Sequence, residues 1–178
     1  KYRDVVKKRI GEALKGVTNW VLIGGPPCQA YSLVGRSRIR GKNKRKYRED
    51  HRHYLYKEYL QILADHQPPV FIMENVKGLL SSKRVRTEST FDLILADLEH
   101  PNDVNRNNTK EPLRYKLFSL SKEYKEGSNL EPKNYVIRSE EYGIPQARHR
   151  IIIFGIRSDF FTCAPSALKE KKKQISIN

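Results

Sequence analysis

An α/β domain, with a parallel-rich sheet and flanking helices, is the fold class that this sequence predicts. Three observations predict it. Apolar runs of strand length alternate with segments of helical periodicity. Glycine, proline or polar residues close each run. The 178 residues suffice for one domain with a substantial core, whereas two full domains would be cramped.

Taken in order, Val6, Ile10 and Leu14 recur at intervals of four and predict an amphipathic helix over 3–15. Trp20-Val21-Leu22-Ile23 reads as a buried strand, broken by Gly24-Gly25-Pro26-Pro27. Leu55, Tyr59, Ile62 and Leu63 predict a helix over 53–66, and Pro68-Pro69 stops it. Val70-Phe71-Ile72-Met73 is the next strand, ending at Glu74-Asn75. Phe91, Ile94, Leu95 and Leu98 give a further helix. Residues 101–133 are polar, with a short apolar stretch only at Leu117-Phe118, and read as a surface insertion, in part disordered. Strands are expected around 135–139 and 151–156. Alternating strands and helices imply βαβ crossovers, and working groups then gather at the carboxyl ends of the strands.

Charge narrows the partners. Thirty-five Lys and Arg against twenty Asp and Glu leave a net +15, with a pI near 9.9, which points to a nucleic acid or another anionic surface. Nine of the cations fall within 36–52, against Glu49 and Asp50, so this stretch alone carries +7. A solvated charge run would look the same. No apolar run approaches the roughly 20 residues of a membrane span, and the basic N-terminal stretch lacks the apolar block of a secretory signal. Neither Cys28 nor Cys163 has a CxxC partner or a histidine at ligand spacing, so no zinc site is expected. Cys163, after Phe160-Phe161-Thr162, reads as a small buried hydrophobe.

Three features carry chemistry. Cys28 follows a rigid Gly-Gly-Pro-Pro turn after an apolar strand, where backbone N–H groups could favour a thiolate; an ordinary strand-to-loop turn fits as well. Glu74 stands at the rim of an apolar strand, as an acid or as an ion-pair partner. Gln146, Arg148 and Arg150 alternate along Tyr142–Arg150, so an extended backbone would project all three to one face. Two guanidinium forks there suit a phosphate or a carbonyl oxygen.

Together these features resemble the cytosine-C5 DNA methyltransferase family. The nucleophile motif is similar to Gly25-Pro26-Pro27-Cys28-Gln29-Ala30-Tyr31-Ser32, with Gly35 downstream. The Glu-Asn-Val motif matches Glu74-Asn75-Val76 and continues as Lys77-Gly78-Leu79-Leu80. The Gln-x-Arg-x-Arg motif matches Gln146, Arg148 and Arg150 after Tyr142-Gly143-Ile144-Pro145. Asp50-His51-Arg52-His53-Tyr54-Leu55-Tyr56 looks like the segment that closes the family's mobile loop. The resemblance spans roughly 20–159.

The resemblance implies a Rossmann-like, S-adenosylmethionine-dependent methyltransferase fold lacking its N-terminal cofactor-binding strands. A partial catalytic domain would occupy 1–160, and 161–178 would be a linker toward a target-recognition domain. It also implies that Cys28 attacks C6 of a cytosine flipped out of double-stranded DNA. Glu74, Arg148 and Arg150 would complete the catalytic set. Gln29, Ser32, Asn75, Gln146, Arg36 and Arg38 would serve the substrate. Only Gly25, Pro26 and the neighbourhood of Leu55 map to positions that touch S-adenosylmethionine, because the family's Phe-x-Gly-x-Gly loop has no counterpart here. The chain is therefore expected to hold the catalytic half of a longer polypeptide. A bacterial cytoplasmic or nucleoid-associated enzyme, with a cognate restriction endonuclease as its partner, fits the resemblance. Two other readings stay open: methylation of transfer RNA by the same chemistry, or a basic nucleic-acid-binding remnant without catalysis. A cysteine hydrolase is disfavoured, since His51, His53 and His149 occupy no nucleophile-activating motif and read as solvated or phosphate-facing.

Overall fold

Four of the strands in the five-stranded sheet run in one direction, and helices carry the chain back between the first three. The computed structural model describes residues 2–26, 55–81, 89–104 and 113–171. Cys28, Gln29, Ser32, Arg36, Arg38 and the basic 36–52 stretch lie outside the described residues. The elements are α1 (Tyr2–Ala13), β1 (Val21–Gly24), α2 (Leu55–His66), β2 (Val70–Val76), α3 (Thr90–Glu99), β3 (Tyr115–Phe118), β4 (Val136–Arg138) and β5 (His149–Arg157). The sheet order is β1-β2-β5-β3, and β4 also pairs with β5.

The largely parallel sheet expected from the sequence needs correcting. Only β1 and β2 form a parallel pair; β2, β3 and β4 all pair with β5 in the antiparallel sense. The crossovers themselves are present, since α2 and α3 bring β2 and β3 back in the direction of β1. What changes the sheet is β5, which inserts between β2 and β3. It follows β4 after only the ten residues 139–148, too short a connection for a helical crossover of a dozen or more, so it must return antiparallel.

α2 buries Tyr59, Leu60, Leu63 and Ala64, one stripe at i, i+4 spacing. The chain leaves α2 through Gln67, in the left-handed region at φ 46°, and Pro68-Pro69 forbids further helix. β2 buries Phe71, Met73 and Asn75 in alternation, and β5 buries Ile151, Ile153 and Gly155. Gly155 faces the Phe71 ring so closely that a Cβ there would overlap it. Phe71 makes edge contacts with Tyr59 and Tyr115, ring centroids 6.2 and 5.1 Å apart, which centres the core on β2. α3 begins at Ser89, whose Oγ accepts from Asp92 N at 3.4 Å, and buries Phe91, Ile94 and Leu98 as the periodicity predicts.

Three local expectations change. β1 reads from the sequence as a buried strand, yet it is the sheet edge among the described residues, with Val21 and Ile23 exposed. The 101–133 stretch holds β3 and buries Leu113, Tyr115 and Phe118, so part of this polar segment belongs to the core. Cys163 is exposed rather than buried, because beyond the short 3-10 turn Ser158–Phe160 the described chain runs over the surface without further strand or helix. That surface run is tied down at intervals. Phe161 stacks on Phe118 at 5.6 Å, Leu168 N donates to Leu120 O, and Lys171 N donates to Glu141 O.

Candidate active site at the ends of β1, β2 and β5

Glu74 and Arg150 meet because of strand register. Glu74 pairs with Ile152 and Val76 with Arg150 across the β2–β5 ladder. Residues opposite one another share a face, and a diagonal neighbour two residues on is within reach of a long side chain. Arg150 Nε accordingly lies 2.8 Å from Glu74 Oε1. The N–H does not point along that line, for Nε is buried without a geometrically sound hydrogen bond. The contact is thus an ion pair that an aligned ligand acceptor could replace. Arg150 Nη1 meanwhile donates to the carbonyl of His149 at 2.8 Å. The Glu74 side chain keeps 42% of its surface and that of Arg150 26%, so both are reachable from solvent.

Asn75 faces the opposite side of β2 and is 4% exposed. Its Oδ1 accepts from Val76 N at 2.8 Å, which fixes the amide. Its Nδ2 then donates to Pro26 O at 3.2 Å, tying the end of β2 to the turn that leads into Cys28. Gly25 sits between them: a Cβ there would stand 3.0 Å from Glu74 Oε2. At Gly24 a Cβ would come within 2.6 Å of the Tyr59 ring, whose hydroxyl donates to Ile72 O at 3.2 Å. The absence of a Cβ thus makes room for the Tyr59 ring at Gly24 and for the Glu74 carboxylate at Gly25.

The segment carrying Gln146 and Arg148 is not extended as the alternation argument requires. Gln146 N donates to Ile144 O and Arg148 N to Gln146 O, both at 2.8 Å, which makes two consecutive three-residue turns before β5 begins. Gln146 and Arg148 are exposed and Arg150 half-buried. Strand register joins Arg150 alone to Glu74. Sequence reasoning also missed Glu140, whose Oε1 lies 2.6 Å from His149 Nε2. His149 is thereby engaged by protein rather than solvated or phosphate-facing.

Backbone that could border a nucleoside-type cofactor is limited. Gly25 is exposed, whereas Pro26 is buried with its carbonyl taken by Asn75.

Comparison with known proteins completes the assignment. The family model for C-5 cytosine-specific DNA methylases matches residues 3–102 and 114–178. The chain belongs to that family. Its mixed sheet with flanking helices is consistent with the family's Rossmann-like methyltransferase fold. Among its relatives are the type II methyltransferase M.Bpa9945I of Bacillus paralicheniformis, 34% identical over 141 residues, and M.FnuDI of Fusobacterium nucleatum, 34% identical over 139. The DNA (cytosine-5-)-methyltransferase M.ApeKI of Aeropyrum pernix is 31% identical over 153 residues. These alignments take in 77%, 78% and 82% of this chain but only 25%, 29% and 29% of the relatives, so the chain spans well under half their length. Among the described residues no helix is long and apolar enough to cross a membrane.

Proposed function

We propose that the complete protein methylates C5 of cytosine in double-stranded DNA through a covalent bond between Cys28 and C6. The observation that supports this most is the convergence of the three motifs. Glu74 and Arg150 lie 2.8 Å apart, and Asn75 holds the Pro26 carbonyl two residues before Cys28. C5 of cytosine is too weak a nucleophile to take a methyl group unaided. On this reading the Cys28 thiolate bonds to C6, and the electron pair displaced from the C5–C6 double bond makes C5 nucleophilic. Glu74 holds N3 and the exocyclic amino group, and Arg150 takes the O2 carbonyl, so charge that develops on the ring meets fixed partners. S-adenosylmethionine would lie against Gly25, Pro26 and the neighbourhood of Leu55 when bound, and would supply the electrophilic methyl group that C5 takes, its sulfur leaving as the neutral thioether of S-adenosylhomocysteine. Loss of the C5 proton then restores the double bond and breaks the C6–S bond, freeing Cys28. Arg148 and Gln146 support Arg150 at the O2 carbonyl and a nearby phosphate, Gln29 and Ser32 serve the substrate, and Arg36 and Arg38 meet phosphates. The type II names of the relatives favour a restriction endonuclease of matching specificity as the partner in the cell.

The test uses the full-length enzyme and duplex DNA carrying 5-fluorocytosine, whose C5 fluorine cannot leave as a proton does. A stable protein–DNA adduct is expected, and none with Cys28→Ser. An adduct that persists in Cys28→Ser overturns the choice of nucleophile. Preferential methylation of transfer RNA would move the substrate to RNA, and nucleic-acid binding with no adduct on either substrate would leave only a binding remnant.

A further inference from the structure

We propose that Glu140 and His149 are positioning residues that set the Arg150 guanidinium against Glu74. This rests on the reading of that ion pair as the cytosine-facing end of the site. His149 is the first residue of β5 and stands opposite Arg138 of β4, so it marks where the 139–148 excursion rejoins the sheet. Two neighbouring residues of the excursion hold two neighbouring residues of the strand entry. Ser139 donates to the Arg148 carbonyl twice, from its backbone N at 3.1 Å and from Oγ at 2.8 Å. Glu140 Oε1 then meets the His149 ring at 2.6 Å. The carbonyl of that same histidine accepts from Arg150 Nη1 at 2.8 Å. An unbroken path therefore runs from the Glu140 carboxylate through His149 to the guanidinium and on to Glu74.

Glu140 Oε2 has no hydrogen-bond partner among the described residues, so Oε1 makes the carboxylate's contact with the ring. A hydrogen bond from its own backbone N–H, then the His149 contact, holds the Glu140 carboxyl below the usual carboxylate range, so it stays an acceptor at neutral pH. An imidazole between two arginines needs such an acceptor to be held in one orientation. The strand backbone sets the His149 carbonyl that receives Arg150 Nη1, and the Glu140 contact anchors the residue that carries it at the start of β5. A positioning role requires that removing the carboxylate leave the strand in place and free the guanidinium.

The experiment is 15N NMR of the Arg150 Nε–H group in the 178-residue chain, compared across Glu140→Ala, Glu140→Gln and His149→Phe. Glu140→Ala and His149→Phe should speed exchange of that proton about tenfold, with the resonances of β2 and β5 otherwise retained. Glu140→Gln keeps an oxygen acceptor and should move back toward the parent value. Unchanged exchange in a folded Glu140→Ala overturns the proposal. Should Glu140→Ala unfold, an Arg150 signal in His149→Phe identical to the parent's overturns it equally. In the full-length enzyme, Glu140→Ala should slow adduct formation on 5-fluorocytosine DNA about tenfold, with DNA affinity little changed. Absence of any adduct from the parent would sink the methylation reading alone, since Arg150 exchange decides the positioning role by itself.

Discussion

Asn75 concentrates several constraints in one side chain. It is buried, accepts from its neighbour's N–H and donates to a carbonyl 49 residues earlier in the chain. Asn75→Ala should lower stability by about 1–3 kcal/mol, because the Pro26 carbonyl and the part-buried Val76 N–H lose their partner; urea denaturation checks this. The same variant should slow adduct formation in the full-length enzyme, since the turn before Cys28 loses its tie to β2. That residues 74–75 matter is legible in the sequence as polar residues ending an apolar strand. Their partners are not. His149 looks like a spare histidine until the turn ending at Gly143, φ 80°, folds Glu140 back onto it. Cys163 looks apolar by its neighbours, and whether anything covers it depends on elements far away in the chain.

At the scale of elements, helices are the more legible. α3 follows its i, i+3, i+4, i+7 spacing closely, because one apolar stripe must meet one sheet face. β1 and β3 are harder, since a strand's burial is set by what lies beside it. Four apolar residues cannot say whether they will be an edge, and Tyr115–Phe118 is too short to outweigh its polar surroundings. The aromatics pinned between these elements give a measurable pH limit. Burial pushes the Tyr135 hydroxyl up to about 12 and those of Tyr59 and Tyr115 higher still. Their neutral forms are favoured in the folded state, so their contribution is intact below the unfolded value of about 10. It is lost as pH rises from there through the folded values, each tyrosine steepening the loss by up to about 1.4 kcal/mol per pH unit. Urea midpoints measured from about pH 9 to about pH 12 should fall across this window, and Tyr115→Phe should flatten the slope. That variant also gives up the 2.8 Å hydrogen bond to Pro68 O, about 1 kcal/mol, at every pH.

For the molecule as a whole, charge and topology make separate demands. The +15 net charge predicts salt-sensitive binding to DNA, and the +7 of 36–52 singles out that stretch. Neutralising Arg36, Arg38 and Arg40 with glutamine should reduce the slope of log affinity against log salt by about 0.9 for each phosphate no longer neutralised, as a salt titration of full-length enzyme would show. An unchanged slope would mean a solvated charge run. The amino-acid sequence alone determined the family, the order of its motifs and the alternation of strands with helices, because these depend on residue type and local spacing. Strand direction was decided only by the tertiary structure: a ten-residue return puts β5 antiparallel between β2 and β3. That insertion is also what brings Arg150 beside Glu74, 76 residues away in the chain. Local spacing cannot encode such a meeting, since it exists only once hydrogen bonding fixes the register of two distant strands.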